Sequence, residues 1–253
     1  MDARIASLYR HPVKGFTPER LTSATLEAGA CFPCDRLYAV EDGPSGFDPA
    51  APDHISKMKF TVLAKIPSVA RVRTAYDEAS GVLSARAEGH PDFAGDLRAP
   101  AGRAGFEAWL AGFLGEEASG PLKVIEGPGA HRFMDSKSGF VSIVNLASVR
   151  DLSQRLGRDL DPLRFRANLY VEGWSAWAEN DWTGRTLTIG GATAEVIKPI
   201  VRCAATHVDP DTGERDADLV KALFDHYGHM FCGIYLTVTD GGTVGEGDGV
   251  AVG

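Results

Sequence analysis

Short apolar runs at strand-like period, each closed by Gly, Pro, Asp or Asn, recur from one end of this chain to the other. They fall at residues 5–9, 21–26, 37–40, 60–63, 69–74, 82–85, 138–145, 169–171, 186–189, 192–197 and 231–238. Runs of four to eight residues bounded by turn formers are read as strands. Only three stretches have helical spacing. Phe106, Trp109, Leu110, Phe113 and Leu114 fall at i, i+3, i+4, i+7 and i+8, with Gly115 as the stop. Leu146, Val149, Leu152 and Leu156 follow Asn145 as N-cap and end at Gly157. Leu219, Val220, Leu223, Phe224 and Tyr227 follow Asp216 as N-cap and end at Gly228. Many strands with few helices predict a mixed, β-rich α+β fold and argue against a doubly wound parallel sheet. The aromatic residues of the first helix are core at this spacing.

The 253 residues allow one large domain or two of medium size. Gly120-Pro121 and Gly127-Pro128-Gly129 flank one short apolar strand, so a boundary is expected there, dividing the chain into 1–125 and 126–253. No apolar run is long enough for a membrane span, and the start runs into strand-like sequence without signal or transit character. Four cysteines do not make a disulfide framework, so a reducing cytoplasm is the expected compartment. A net charge of -8 argues against a general nucleic-acid binder, while leaving room for a local basic pocket.

Chemistry concentrates in residues 198–213. A strand enters this stretch, and Asp209-Pro210-Asp211-Thr212-Gly213 leaves it as a turn. Cys203 sits between them, flanked by Arg202 and His207. A neighbouring cation favours thiolate, the form that is both nucleophile and soft metal ligand. A small buried hydrophobe is the alternative reading, and spacing leaves both open. Cys31-Phe32-Pro33-Cys34 invites a redox or zinc reading. However, a strand rather than a helix follows it, and Cys203 and Cys232 supply no second short ligand spacing. Cys232 is expected to be buried and inert, Trp182 to pack, and Glu179 to lie at the surface. The loop at 41–54 is either a lid or an idle connection.

Arg202-Cys203-x-x-Thr206-x-Val208-Asp209-Pro210-x-Thr212-Gly213 resembles the signature of the MOSC-domain family, named for the C-terminal part of molybdenum cofactor sulfurase. Within it, the chain is most similar to the two-module branch that contains the mitochondrial amidoxime-reducing component. Three further stretches resemble that branch: His11-Pro12-Val13-Lys14-Gly15, where the family has Tyr-Pro-Val-Lys-Ser; Asp35-Arg36; and Phe165-Arg166-Ala167-Asn168, where it has Phe-Arg-Pro-Asn. The resemblance implies an N-terminal MOSC-associated β module, a C-terminal MOSC β-barrel, and a cofactor cleft between them. It implies a molybdenum-pyranopterin (molybdopterin) cofactor ligated by Cys203, with Asp209 either positioning the Cys203 loop or serving only its turn. Lys14, Arg36 and Arg166 would hold the cofactor phosphate. Ser138, Asn145, Asn168, Tyr235 and the backbone at Gly15 and Val201 would complete the site. Gly15 lacks the family's hydroxyl, and Cys232 interrupts its Phe-Gly-x-Tyr pattern.

The implied activity is reduction of small N-oxygenated compounds such as amidoximes, hydroxylamines and N-oxides. With no Gly-x-Gly-x-x-Gly after a strand and no ferredoxin cysteine spacing, electrons would come from a separate ferredoxin- or cytochrome b5-like carrier with its reductase. The alternative is a non-enzymatic carrier of the cofactor, or of sulfur as a Cys203 persulfide.

Overall fold

The computed structural model describes residues 3–138 and 140–253. Eight strands form the largest sheet: β1 (Arg4–Arg10), β2 (Glu19–Leu21), β9 (Val141–Asn145), β10 (Leu169–Glu172), β11 (Thr186–Ile189), β12 (Ala192–Val201), β13 (Phe231–Asp240) and β15 (Val250–Val252). Their order is β15-β11-β12-β13-β9-β10-β1-β2, and only β9 and β10 run parallel. A ribbon of β3 (Ser23–Leu26) with β14 (Gly242–Gly245) packs on the same core. The N-terminal strand β1 therefore pairs with β10, and both ends of the chain build one curled sheet.

Period two explains this packing. In β11 exposed Thr186 and Thr188 alternate with buried Leu187 and Ile189, and β12 alternates from Ala192 to Val196 before its register shifts near Lys198. Ile5, Leu8, Ile143, Leu169, Val196, Ile234 and Leu236 meet inside. Each such side chain contributes about 1.5–3 kcal/mol on burial.

A second core lies between the ribbon β4 (Tyr38–Asp42)–β8 (Leu122–Glu126), the sheet β5 (Arg73–Tyr76)–β6 (Val82–Ala87)–β7 (His90–Asp96), and α1 (Pro100–Leu114). Helix α1 buries Phe106, Leu110 and Leu114 there and stops at Gly115, whose φ is +53°. Helices α2 (Leu146–Leu156) and α3 (Leu219–Tyr227) share a third cluster with Phe165, Tyr170 and Cys232. Among the described residues no helix is long and apolar enough to cross a membrane.

Several local expectations need correction. Residues 60–63 make only an isolated bridge, Glu41 to Phe60, and Pro67 starts a 3-10 turn through Arg71 where a strand was expected. Strand β7 escaped notice because Pro91 and Gly95 break its pattern. Asp240-Gly241 closes no hairpin, since β14 leaves β13 to pair with β3. Asp218 caps α3, while Asp216 is drawn to Arg158 and Arg164. Glu179 is fully buried, accepting from Asn145 Nδ2 and Ser148 Oγ at 2.8 Å each.

Candidate functional site

Strand β12 ends at Val201, and the chain turns through Arg202 into Cys203, which starts a short 3-10 turn (Ala204–His207). Arg202 holds this corner. Its Nε donates to the carbonyl of Cys232 and its Nη1 to that of Phe165, each at 2.7 Å. Thr206 closes the turn, its Oγ1 donating to the Cys203 carbonyl at 2.9 Å. Asp209 anchors the far end. Its Oδ1 accepts from the backbone N–H of Asp211 and Thr212, at 2.9 Å each, and its Oδ2 accepts from buried Arg164 at 2.7 Å. Asp209 is thus both the turn residue and a support for the Cys203 loop, one step behind the cleft.

Cys203 opens into a cleft of about 290 Å³ whose walls come from distant segments. Lys14, Gly15, Arg36, Arg166, Val201, Cys203 and Tyr235 all line it. Arg36 and Arg166 both have φ of +52°, so each side chain leaves a tight left-handed turn. Arg36 pairs with buried Asp35 and donates to the Arg166 carbonyl at 3.2 Å. Arg166 donates to the Phe16 carbonyl at 2.8 Å and has no carboxylate partner among the described residues. Burial and the neighbouring Arg36 lower Arg166 to about 10, so it remains a cation at neutral pH. Lys14 pairs with Asp135, donates to the Phe133 carbonyl at 2.8 Å, and is lowered by burial.

Sequence reasoning missed Lys57. Its Nζ stands 3.0 Å from Cys203 Sγ and 4.0 Å from Asp135 Oδ2. Burial works against its charge, but Asp135 and the sulfur raise it above the usual lysine value. Asp135, which burial alone would raise, is held far below the carboxylate range by Lys14, Lys57 and Arg36. Nothing in the sequence marked Lys57, which lies three residues beyond the loop at 41–54 read as a lid or an idle connection.

Gly15 has a steric reason. At φ +93°, a Cβ there would lie 2.4 Å from the Thr61 carbonyl oxygen. A serine does not fit, so only backbone can serve the cleft at this position.

Three expected residues lie elsewhere. Ser138 is exposed and does not line the cleft, whereas Ser136 does. Asn145 is consumed at the start of α2, its Oδ1 accepting from Ala147 N at 3.0 Å and its Nδ2 donating to Ser175 and Glu179. Asn168 is buried behind the wall, accepting from Ser142 Oγ at 2.9 Å and donating to the Tyr9 carbonyl at 3.3 Å. It therefore acts on the cleft only through Ser142.

The other thiols are poor nucleophiles. Burial, with Glu78 adding to it, pushes Cys34 up to about 11. Burial raises Cys31, and takes Cys232 to about 12. Cys31 and Cys34 lie in a turn and not at a helix N-terminus. Cys203 is the cysteine that lines the cleft.

Comparison with known proteins gives two family matches. Residues 2–119 match the MOSC N-terminal beta barrel domain, and residues 130–251 match the MOSC domain. A molybdenum cofactor sulfurase of Caenorhabditis elegans is 33% identical over 141 residues, covering 52% of this chain and 18% of that protein. Mitochondrial amidoxime-reducing component 1 of Mus musculus is 30% identical over 120 residues, covering 43% of this chain and 35% of the relative. This chain thus spans only a minor part of either relative. Among solved structures, the YUAD protein of Bacillus subtilis aligns over 100% of this chain and 96% of its own, with 14% identity and a TM-score of 0.47.

Proposed function

This chain belongs to the MOSC family, carrying the N-terminal beta barrel domain and the MOSC domain in tandem, and on that premise we propose that its cleft binds a molybdenum pyranopterin cofactor and reduces small N-oxygenated compounds. One observation carries the reading. Cys203 shares a single cleft with Lys14, Arg36, Lys57 and Arg166, in a chain whose net charge is -8. The residues fit such a group. Among the described residues Arg166 has no carboxylate of its own, and Arg36 and Arg166 together match a phosphomonoester dianion. Cys203 offers one soft donor, suited to molybdenum.

When bound, the metal would supply the two-electron oxygen-atom chemistry. The chain's own residues bind and orient. Arg36 and Arg166 grip the phosphate; Arg202 and Asp209 fix the Cys203 loop at its two ends; Lys57 places a cation on the sulfur. Reduction of a hydroxylamine to an amine consumes two electrons and two protons and releases water. Electrons arrive from a separate carrier docking near the cleft mouth.

The test is an assay of an amidoxime or hydroxylamine on molybdenum-loaded protein. It is run with NADH alone, with NADH plus a reductase and a small carrier, and with a strong artificial donor. Turnover in the last two and none in the first is expected. A second reading has support in the sulfurase relatives and in the open Cys203 thiol, namely a carrier of the cofactor or of a Cys203 persulfide. Loaded protein that fails even with the artificial donor would favour that carrier.

A further inference from the structure

Beside the Cys203 cleft lies a second cavity of about 310 Å³ that shares Lys14, Met134 and Ser136 with it. Ile55, Phe60, His131, Phe133 and Phe140 are among its lining residues; Ile55, His131 and Phe140 are partly exposed, while Phe60 and Phe133 are almost wholly buried. The rings of Phe60 and Phe133 meet edge-on, 5.7 Å apart, and His131 stands edge-on to Phe133 at 5.2 Å. Such walls suit a flat ring.

Arg132 supplies the charge. Its Nη1 donates to the carbonyls of Gly129 and His131, at 2.8 Å each. Its Nε is buried without a hydrogen-bond partner, and among the described residues Nη2 makes no hydrogen bond. Nε and Nη2 form the side-on edge of the guanidinium, which grips a carboxylate with two parallel hydrogen bonds. Lysines around the same cavity are already matched, Lys137 by Asp53 at 3.4 Å and Lys14 by Asp135. Leaving a buried, charged donor unpaired is unfavourable, so an unpaired guanidinium edge lining an otherwise largely apolar cavity calls for an anion.

We infer that this second cavity binds an aryl carboxylate, with the carboxylate on the Nε–Nη2 edge of Arg132 and the ring against Ile55, His131 and Phe140. The site stands on its own geometry. Combined with the reductase reading, on which this step rests, it makes the substrate an N-oxygenated compound whose non-reacting end is an aromatic acid, held next door to Cys203.

The test measures binding of 1-naphthoate, 1-naphthamide and acetate to the full chain by saturation-transfer NMR and isothermal titration. Naphthoate binds, and both comparison compounds bind about tenfold or more weakly, since each lacks one of the two recognised features. Arg132→Gln loses binding, and Arg132→Lys, which keeps charge without the fork, does not restore it. Ile55→Trp, which fills the cavity from a half-exposed position, also loses it. Inorganic phosphate, the probe for the Arg36–Arg166 cleft, does not displace naphthoate. Equal binding of the amide, undiminished binding by Arg132→Gln, or displacement by phosphate overturns the site. Cys203→Ala retains naphthoate binding, so failure of the molybdenum reading leaves this result intact and the two are separable.

Discussion

Lys57 Nζ lies 3.0 Å from Cys203 Sγ, although 146 residues separate the two in the chain. The ammonium donates to the sulfur and so stabilises the negative charge that the sulfur carries as it attacks an electrophile. Lys57→Met should therefore slow alkylation of Cys203 by iodoacetamide in metal-free protein several-fold at neutral pH, read peptide by peptide with mass spectrometry. Cys34, raised by burial, should stay slow in both proteins. An unchanged Cys203 rate would mean that the contact is not populated in solution.

Restoring the family's serine at position 15 should harm the protein. Gly15→Ser puts a Cβ into the Thr61 carbonyl at a φ that L-residues rarely adopt, so a loss of about 1–3 kcal/mol or more in urea unfolding is expected. Cofactor content should fall with it. A neutral or stabilising serine would show that this backbone is not held as described.

Acid should destabilise the fold earlier than its carboxylates alone require. His11 is fully buried beside Asp35, Arg36 and Arg166, and burial followed by the two arginines lowers it to about 3. Between that value and the unfolded value near 6.5, the unfolded chain binds a proton that the folded chain refuses. Stability is therefore full above about pH 6.5 and falls as pH drops, by about 1.4 kcal/mol per pH unit for this one group. His11→Gln should flatten the slope between about pH 6 and 4.5 by that amount. Identical slopes would assign the acid sensitivity to other groups.

What could be read along the chain was what is encoded locally. The period-two runs gave the β-rich class, and Cys203 stood out between a strand end and a turn; Arg36 and Arg166 were marked only by the family resemblance of Asp35-Arg36 and Phe165-Arg166-Ala167-Asn168. Lys57 could not be found this way, since nothing around Ser56-Lys57-Met58 marks it; only folding brings it to the sulfur. Asn145 and Asn168 were drawn toward the site by neighbouring matches, yet their amides are spent on α2 and Glu179 in one case and on Ser142 and Tyr9 in the other. Glu179 looked like surface because a carboxylate in a polar run usually is. Its burial is made tolerable by Asn145 and Ser148, which lie more than thirty residues earlier. The open fork of Arg132 was invisible for the same reason, because its emptiness depends on which groups are absent in space.

If Cys203 and the facing arginines together hold a molybdenum pyranopterin, the metal and pterin content of protein purified from cells supplied with molybdate will report it. The unaltered chain should carry near-stoichiometric molybdenum and pterin. Cys203→Ala should lose molybdenum, and Arg36→Ala and Arg166→Ala should lose both, since a phosphate left without its partner costs about 2–5 kcal/mol. Lys14→Ala should be milder, because Asp135 already occupies that ammonium. Full molybdenum in Cys203→Ala, or full pterin in both arginine variants with the fold intact, would mean that Cys203 and these arginines do not hold the group.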